Sequence, residues 1–99
     1  MSERDRAPAQ DLAAEVRGLI LARAPRSWKE HELDYELPLM KEGLGLDSVA
    51  VVEILVACED RFGVRVEPEA IAVEVPTVGL LIQRVEERLA ARPADDGSI

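Results

Sequence analysis

The chain has 99 residues, of which 32% are charged, and a formal net charge of −8 at pH 7. This length suits one domain with a modest core. The acidic balance argues against nucleic acid as a partner, because binding to phosphates requires a basic surface, and it favours partners with basic patches. Only Trp28, Tyr35 and Phe62 are aromatic, so the core must be aliphatic.

The sequence predicts a cytoplasmic monomer without a membrane partner. Cys58 is the only cysteine, so an internal disulfide is impossible and a reducing compartment is expected. Residues 1–6 are too charged to begin a secretory signal, and no apolar run approaches the length of a membrane span. With His31 as the only histidine, no metal site is predicted.

The first half of the chain predicts one helix followed by a long loop. Residues 1–8 are charged and are expected to be disordered, and the folded domain is predicted to span 9–91. Apolar residues at helical spacing predict a first helix over 9–24, which Pro25 stops. Residues 25–46 have no sustained period, but their many apolar side chains indicate that this loop packs against the domain.

A second helix is predicted from Ser48 to Phe62, with Gly63 as its C-terminal stop. It has two apolar stripes, whereas a surface helix needs only one. The second stripe is either covered by the long loop as core or is a docking ridge for a partner, since acidic residues interleave with it. The stripe is formed by Val49, Val52 and Val56, and the acids are Asp47, Glu53, Glu59 and Asp60.

The rest of the chain predicts two more helices. Pro68 at a first helical position indicates a short, weak helix over 68–73. Thr77 caps a last helix over 78–91, and residues 92–99 are expected to be disordered. We therefore predict an all-α fold, in which three long helices and one short helix form a four-helix bundle with a long first loop.

Ser48 follows a glycine and an acid at the start of the second helix. A phosphate on its hydroxyl would be stabilised by the free N–H groups and the dipole of the helix. Asp-Ser is also an ordinary N-cap, and we expect Asp47 to be the cap because its charge suits the positive helix end. Ser48 is no catalytic nucleophile, since His31 is not paired with it in the sequence and no Gly-x-Ser-x-Gly motif surrounds it. We predict that the protein is not an enzyme.

The string Leu44-Gly45-Leu46-Asp47-Ser48-Val49, followed by Glu53-Ile54, resembles the phosphopantetheine attachment site of acyl carrier proteins. That site usually reads Leu-Gly-x-Asp-Ser-Leu with a later Glu-Leu pair, so the chain departs from it at Val49. The resemblance continues to about Leu89 and implies an acyl-carrier-like bundle. It also implies that a short third helix borders the space an acyl chain can enter.

The resemblance implies a covalent cofactor and a set of partners. A phosphopantetheinyl transferase would move 4′-phosphopantetheine from coenzyme A onto Ser48, with Asp47 and Gly45 in the cofactor-binding site. The arm would then hold acyl groups as thioesters for acyl-loading, synthase or transferase enzymes with basic docking surfaces. The implied docking residues are Val49, Val52, Glu53, Val56, Glu59 and Asp60.

The sequence leaves the pathway open. Ala50 and Arg61 replace acids that are frequent in fatty-acid members, and the string over residues 39–46 looks more like discrete carriers of polyketide or hybrid pathways. A peptidyl carrier for amino acids is the first alternative, although its site usually reads Gly-Gly-x-Ser. An unmodified helical adaptor that uses the same acidic helix only for binding is the second.

Overall fold

The computed structural model describes residues 8–24 and 28–91, with side chains from Leu12 onward. In this part of the chain all regular structure is helical, apart from one isolated antiparallel bridge between Pro38 and Thr77. The all-α prediction is therefore confirmed for the described residues. The elements are α1 (Pro8–Leu21), a 3₁₀ turn (Glu30–Glu32), α2 (Ser48–Phe62), a second 3₁₀ turn (Pro68–Ile71) and α3 (Val78–Ala91).

Helix α1 ends earlier than its apolar spacing predicts. The helix begins at Pro8, since proline suits a first helical position, and ends at Leu21 rather than at Ala24. Past Leu21 the Arg23 N–H donates to the Ile20 carbonyl at 3.0 Å, and the Ala24 N–H donates to the Leu21 carbonyl at 3.2 Å. These tighter turns replace the α-helical pattern just before Pro25.

Helices α2 and α3 have the predicted bounds, and the residues at their ends explain them. The Asp47 side chain caps the start of α2, and Gly63 ends it in the left-handed conformation with φ of 74°. The Thr77 hydroxyl accepts a hydrogen bond from the Leu80 N–H at 3.1 Å, as predicted for the cap of α3.

The predicted short helix over 68–73 is not confirmed as a fourth α-helix. Residues Pro68–Ile71 form a single 3₁₀ turn, in which the Ala70 N–H donates to the Glu67 carbonyl at 2.8 Å. Arg84 of α3 holds this turn, because its Nε donates to the Ala70 carbonyl at 2.9 Å. A β-branched residue and the flanking prolines give too little local stability to extend the turn into an α-helix.

The core lies where one stripe of each helix meets the long first loop. The stripe of α2 predicted as core is buried, apart from the partly buried Phe62. Within the described residues no buried side chain is polar or charged. The loop contributes four buried leucines to this core: Leu33, Leu39, Leu44 and Leu46.

Backbone hydrogen bonds join the first loop to the segment before α3. The Leu39 N–H donates to the Pro76 carbonyl and the Val78 N–H donates to the Leu37 carbonyl, both at 2.9 Å. The loop is thus fixed as well as packed, as its apolar content predicts. The predicted disorder of residues 1–8 and 92–99 lies outside the described residues, apart from Pro8, which is the first residue of α1. None of the described helices combines the length and the apolar character needed to cross a bilayer.

Two helical glycines differ in the space around them and give a matched pair of variants. Nothing lies within 4 Å of a Cβ added to Gly18, whereas a Cβ on Gly79 would lie 2.8 Å from the Tyr35 carbonyl oxygen. We predict that Gly18→Ala raises the free energy of unfolding by about 0.5–1 kcal/mol. Gly79→Ala should lower it by about 1–3 kcal/mol, because the loop must move. Urea unfolding followed by circular dichroism measures both, and equal gains would contradict the packing of Tyr35 on α3.

Candidate functional site

Asp47 fixes the start of α2. Its backbone is extended, with φ of −92° and ψ of 177°, and its Oδ1 accepts a hydrogen bond from the Ala50 N–H at 2.8 Å. Its carbonyl accepts the first helical bond, from the Val51 N–H at 3.0 Å. The structure thus assigns the capping role to Asp47, as the charge argument predicts.

Ser48 is the first residue of α2 and is exposed. Its hydroxyl makes no hydrogen bond to any residue that the structure describes. The N–H groups of Ser48 and Val49 likewise have no partner in the described ranges. The helix therefore begins with a free hydroxyl beside two free donors, which is the arrangement that stabilises a phosphate.

Gly45 shapes the turn that leads into this site. Its φ of 77° lies in the left-handed region, where glycine has no steric cost. The Gly45 N–H donates to the Met40 carbonyl at 2.8 Å, and the next residue, Leu46, donates to the Leu39 carbonyl at 3.0 Å. These bonds tie the turn to the buried loop, so Asp47 and Ser48 follow a fixed backbone.

An apolar cleft of about 230 Å³ opens beside Ser48. Val51 of α2 is buried and forms one wall, and Ile71 of the second 3₁₀ turn is buried and forms another. In the segment that the resemblance places beside an acyl chain, Ile71 is buried while Val73 is half exposed. Met40, Val52, Pro68, Ala72, Glu74 and Pro76 also line the cleft.

The second stripe of α2 is exposed. Val49 is 64% exposed, Val52 is 44% exposed and Val56 is 51% exposed. The interpretation of this stripe as core covered by the loop is therefore wrong. We call these three valines the α2 ridge, and its docking role stays a prediction.

The charges beside the α2 ridge are of both signs. Glu53 lies 3.8 Å from Arg23, measured between carboxylate and guanidinium atoms, and both side chains are exposed. Glu59 and Asp60 are exposed and form no ion pair with another described residue. A small pocket of about 110 Å³ lies between Val52 and Val56 on α2 and the segment that carries Arg65 and Pro68. Two free acids thus remain to attract a basic partner.

The other reactive side chains lie away from Ser48. His31 lines a different cavity, together with Arg17 and Asp34. The Cys58 thiol is fully buried, and burial raises its pKa to about 11, so it stays protonated at neutral pH. No group of three metal-binding side chains occurs within residues 8–24 and 28–91. Neither His31 nor Cys58 lines the cleft that contains Ser48.

Sequence reasoning placed Gly45, Asp47 and Ser48 on one turn, and the structure brings them together there. It missed Met40, Pro68 and Pro76 as walls of the cleft. These residues belong to segments in which apolar residues show no helical or strand periodicity, so their spacing does not predict that they lie beside Ser48. The only available signal was the apolar character of Met40 shortly before the glycine turn.

The geometry fits a covalently attached arm, since an exposed hydroxyl stands at the mouth of an apolar cleft. A family model described as the phosphopantetheine attachment site matches residues 14–85. No solved structure matches the chain. Domains of this family are the attachment site of covalent 4′-phosphopantetheine and act as carriers, which confirms the predicted cofactor. The match covers most of the chain, which therefore belongs to the phosphopantetheine attachment-site family.

Proposed function

We propose that Ser48 carries the 4′-phosphopantetheine arm and that the protein holds acyl intermediates as thioesters for a polyketide, hybrid or fatty-acid-type biosynthetic pathway. A phosphopantetheinyl transferase supplies the arm from coenzyme A. The acyl-loading, synthase or transferase enzymes that follow present basic surfaces to α2. The protein itself performs no catalysis in this scheme.

One observation carries the proposal, which is the separation of roles between two neighbouring residues. Asp47 Oδ1 takes the capping hydrogen bond at 2.8 Å, so the Ser48 hydroxyl is not needed to hold the helix. A serine that caps its own helix would have to give up this bond before modification. Ser48 can form a phosphoester without any change in α2.

The chain's residues prepare Ser48 for modification but do not activate it. During attachment, Ser48 Oγ forms the new bond to phosphorus while the pyrophosphate P–O bond of coenzyme A breaks and adenosine 3′,5′-bisphosphate leaves. The hydroxyl proton goes to a base of the transferase, since His31 and Cys58 lie elsewhere. The free N–H groups of Ser48 and Val49 then offer hydrogen bonds to the phosphate oxygens. When bound, the arm supplies a terminal thiol that holds the acyl group.

The proposal that the arm carries acyl groups rather than amino acids rests on two features of the site. Leu46 stands where the Gly-Gly-x-Ser site of peptidyl carriers usually has its second glycine, and an acid, Asp47, directly precedes Ser48. The cleft beside Ser48 is mainly apolar, with Val51, Ile71 and Met40 among its walls. An apolar cleft of this kind suits an alkyl or polyketide chain better than a charged aminoacyl group.

We predict that the full chain gains one phosphopantetheine when it is incubated with coenzyme A, magnesium and a broad-specificity transferase. Intact mass measures the addition. Ser48→Ala should gain none, because the attacking hydroxyl is gone, and the matched control Ser27→Ala should be modified like the original chain. A folded chain that gains no mass would support the unmodified adaptor, and addition at another serine would contradict the assignment of Ser48.

We predict that the α2 ridge is the docking surface for the transferase. Val52→Arg should keep the fold, because Val52 is 44% exposed, but it should lower kcat/KM for modification about tenfold. Glu53→Lys should slow association at low salt and lose its effect at high salt, because salt screens exposed charges. Ala90→Arg adds the same charge to an exposed position of α3 and is the control for Val52→Arg.

Circular dichroism and modification rates at low and high salt separate structural from docking effects. An unfolded Val52→Arg protein would place this residue in the core. A folded Val52→Arg protein that is modified as fast as Ala90→Arg would move the docking surface away from the ridge.

A further inference from the structure

The large apolar side chains that the described part of the chain exposes fall into two groups of three. Val49, Val52 and Val56 form the α2 ridge. The other group comes from the first loop and from the segment before α3, and the docking role proposed above does not use it. In that group Tyr35 is 51% exposed, Val73 is 50% exposed and Val75 is 41% exposed.

These three side chains line one groove, which extends along α3. The groove has a volume of about 670 Å³, and Leu80, Ile82 and Glu86 of α3 are among its other walls. Val73 also borders the cleft beside Ser48, so residues 73–76 separate the two cavities. We call this cavity the α3 groove. A groove that combines exposed apolar side chains with polar groups at its rim is typical of a protein interaction site.

Tyr35 is held in place although half of its surface is exposed. Its carbonyl accepts a hydrogen bond from the Gly79 N–H at 2.8 Å, and the absence of a side chain on Gly79 lets it approach α3 closely. The Arg17 guanidinium carbon lies 5.3 Å from the centre of its ring, and Arg17 is fixed by a bond from its Nε to the Leu33 carbonyl at 2.9 Å. A preorganised, exposed aromatic ring loses little entropy on binding and is typical of a binding hot spot.

The charge around the α3 groove is negative. Glu86 lines it, whereas Glu74, between Val73 and Val75, is exposed and lines the neighbouring cleft beside Ser48. None of the described lining residues is a lysine or an arginine, and Arg17 stacks on Tyr35 without lining the groove. The groove therefore complements a cationic partner and repels an acidic one, a second copy of this acidic chain included.

We propose that the α3 groove is a second docking surface, which binds a protein segment with an apolar face flanked by lysine or arginine. The apolar face contacts Tyr35, Val75 and Leu80, and a cation pairs with Glu86. The groove shares no lining residue with the α2 ridge, so a partner held in the groove leaves the ridge free for an enzyme that acts on Ser48. It is independent of the attachment of the arm.

The test uses the unmodified, isotope-labelled full chain and a synthetic helical peptide with leucine on one face and lysine on the other. Amide shifts of Gly79, Gln83 and Glu86 report binding in the groove. At about 0.15 M salt, Glu86→Lys should weaken this binding about fivefold, since an attraction becomes a repulsion. Val75→Ser should also weaken it. Glu42→Lys, an equal charge change at an exposed position of the first loop, should leave the groove affinity unchanged.

A matched peptide with glutamate in place of lysine should not shift the groove amides. Shifts confined to α2, or equal affinity for the glutamate peptide, would overturn the proposal. Groove shifts that grow with protein concentration in the absence of peptide would make a second copy the occupant and would also overturn it. If Val75→Ser perturbs the fold, Glu86→Lys still decides, because Glu86 is exposed on α3.

Discussion

The hydrogen bond from the Ala50 N–H to Asp47 Oδ1 determines where α2 begins, and much of the structure follows from that start. With Ser48 as the first helical residue, Val51 and Ile54 face the core, and Val52 and Val56 face outward. A helix that began without this cap would fray at its first turn, where Ser48 lies. The same carboxylate leaves the Ser48 hydroxyl unbonded within the described chain. One contact thus supports both the packing of α2 and the chemistry at its end.

An uncharged core and a charged surface keep the Cys58 thiol buried and the acidic side chains exposed. No polar side chain is buried in the described part of the chain, and the only thiol, that of Cys58, is buried with a pKa raised to about 11. A protonated, inaccessible thiol does not compete for acyl groups by thioester exchange at neutral pH. In the proposed function, the arm's thiol is therefore the one that holds the acyl group. The acids remain at the surface, where they attract basic partners.

The sequence predicted the features that depend on local chemistry. The bounds of α2 and α3, the cap at Asp47 and the stop at Gly63 all follow from residues within a few positions of the helix ends. Regular spacing likewise distinguished the buried stripe of α2 from the ridge. The exposure of the ridge could not be predicted, because it depends on where the first loop packs.

The features that sequence reasoning missed depend on contacts between distant segments. The second 3₁₀ turn is held by Arg84, and the α3 groove forms because Tyr35 packs on Gly79. The apolar residues of 28–46 and 68–76 have no regular periodicity that would predict these contacts. Helix α1 ends early because local turns follow Leu21, and helix propensity does not predict the hydrogen bonds of those turns.

The central claim is that Asp47 holds the helix while Ser48 stays free for modification, and thermal and urea unfolding of two unmodified variants at one pH tests it most directly. Asp47→Ala should lower the free energy of unfolding by about 1 kcal/mol, because the cap is lost. Ser48→Ala should leave it nearly unchanged, because the hydroxyl makes no bond to the described residues. A clearly destabilised Ser48→Ala protein beside an unaffected Asp47→Ala protein would contradict the account.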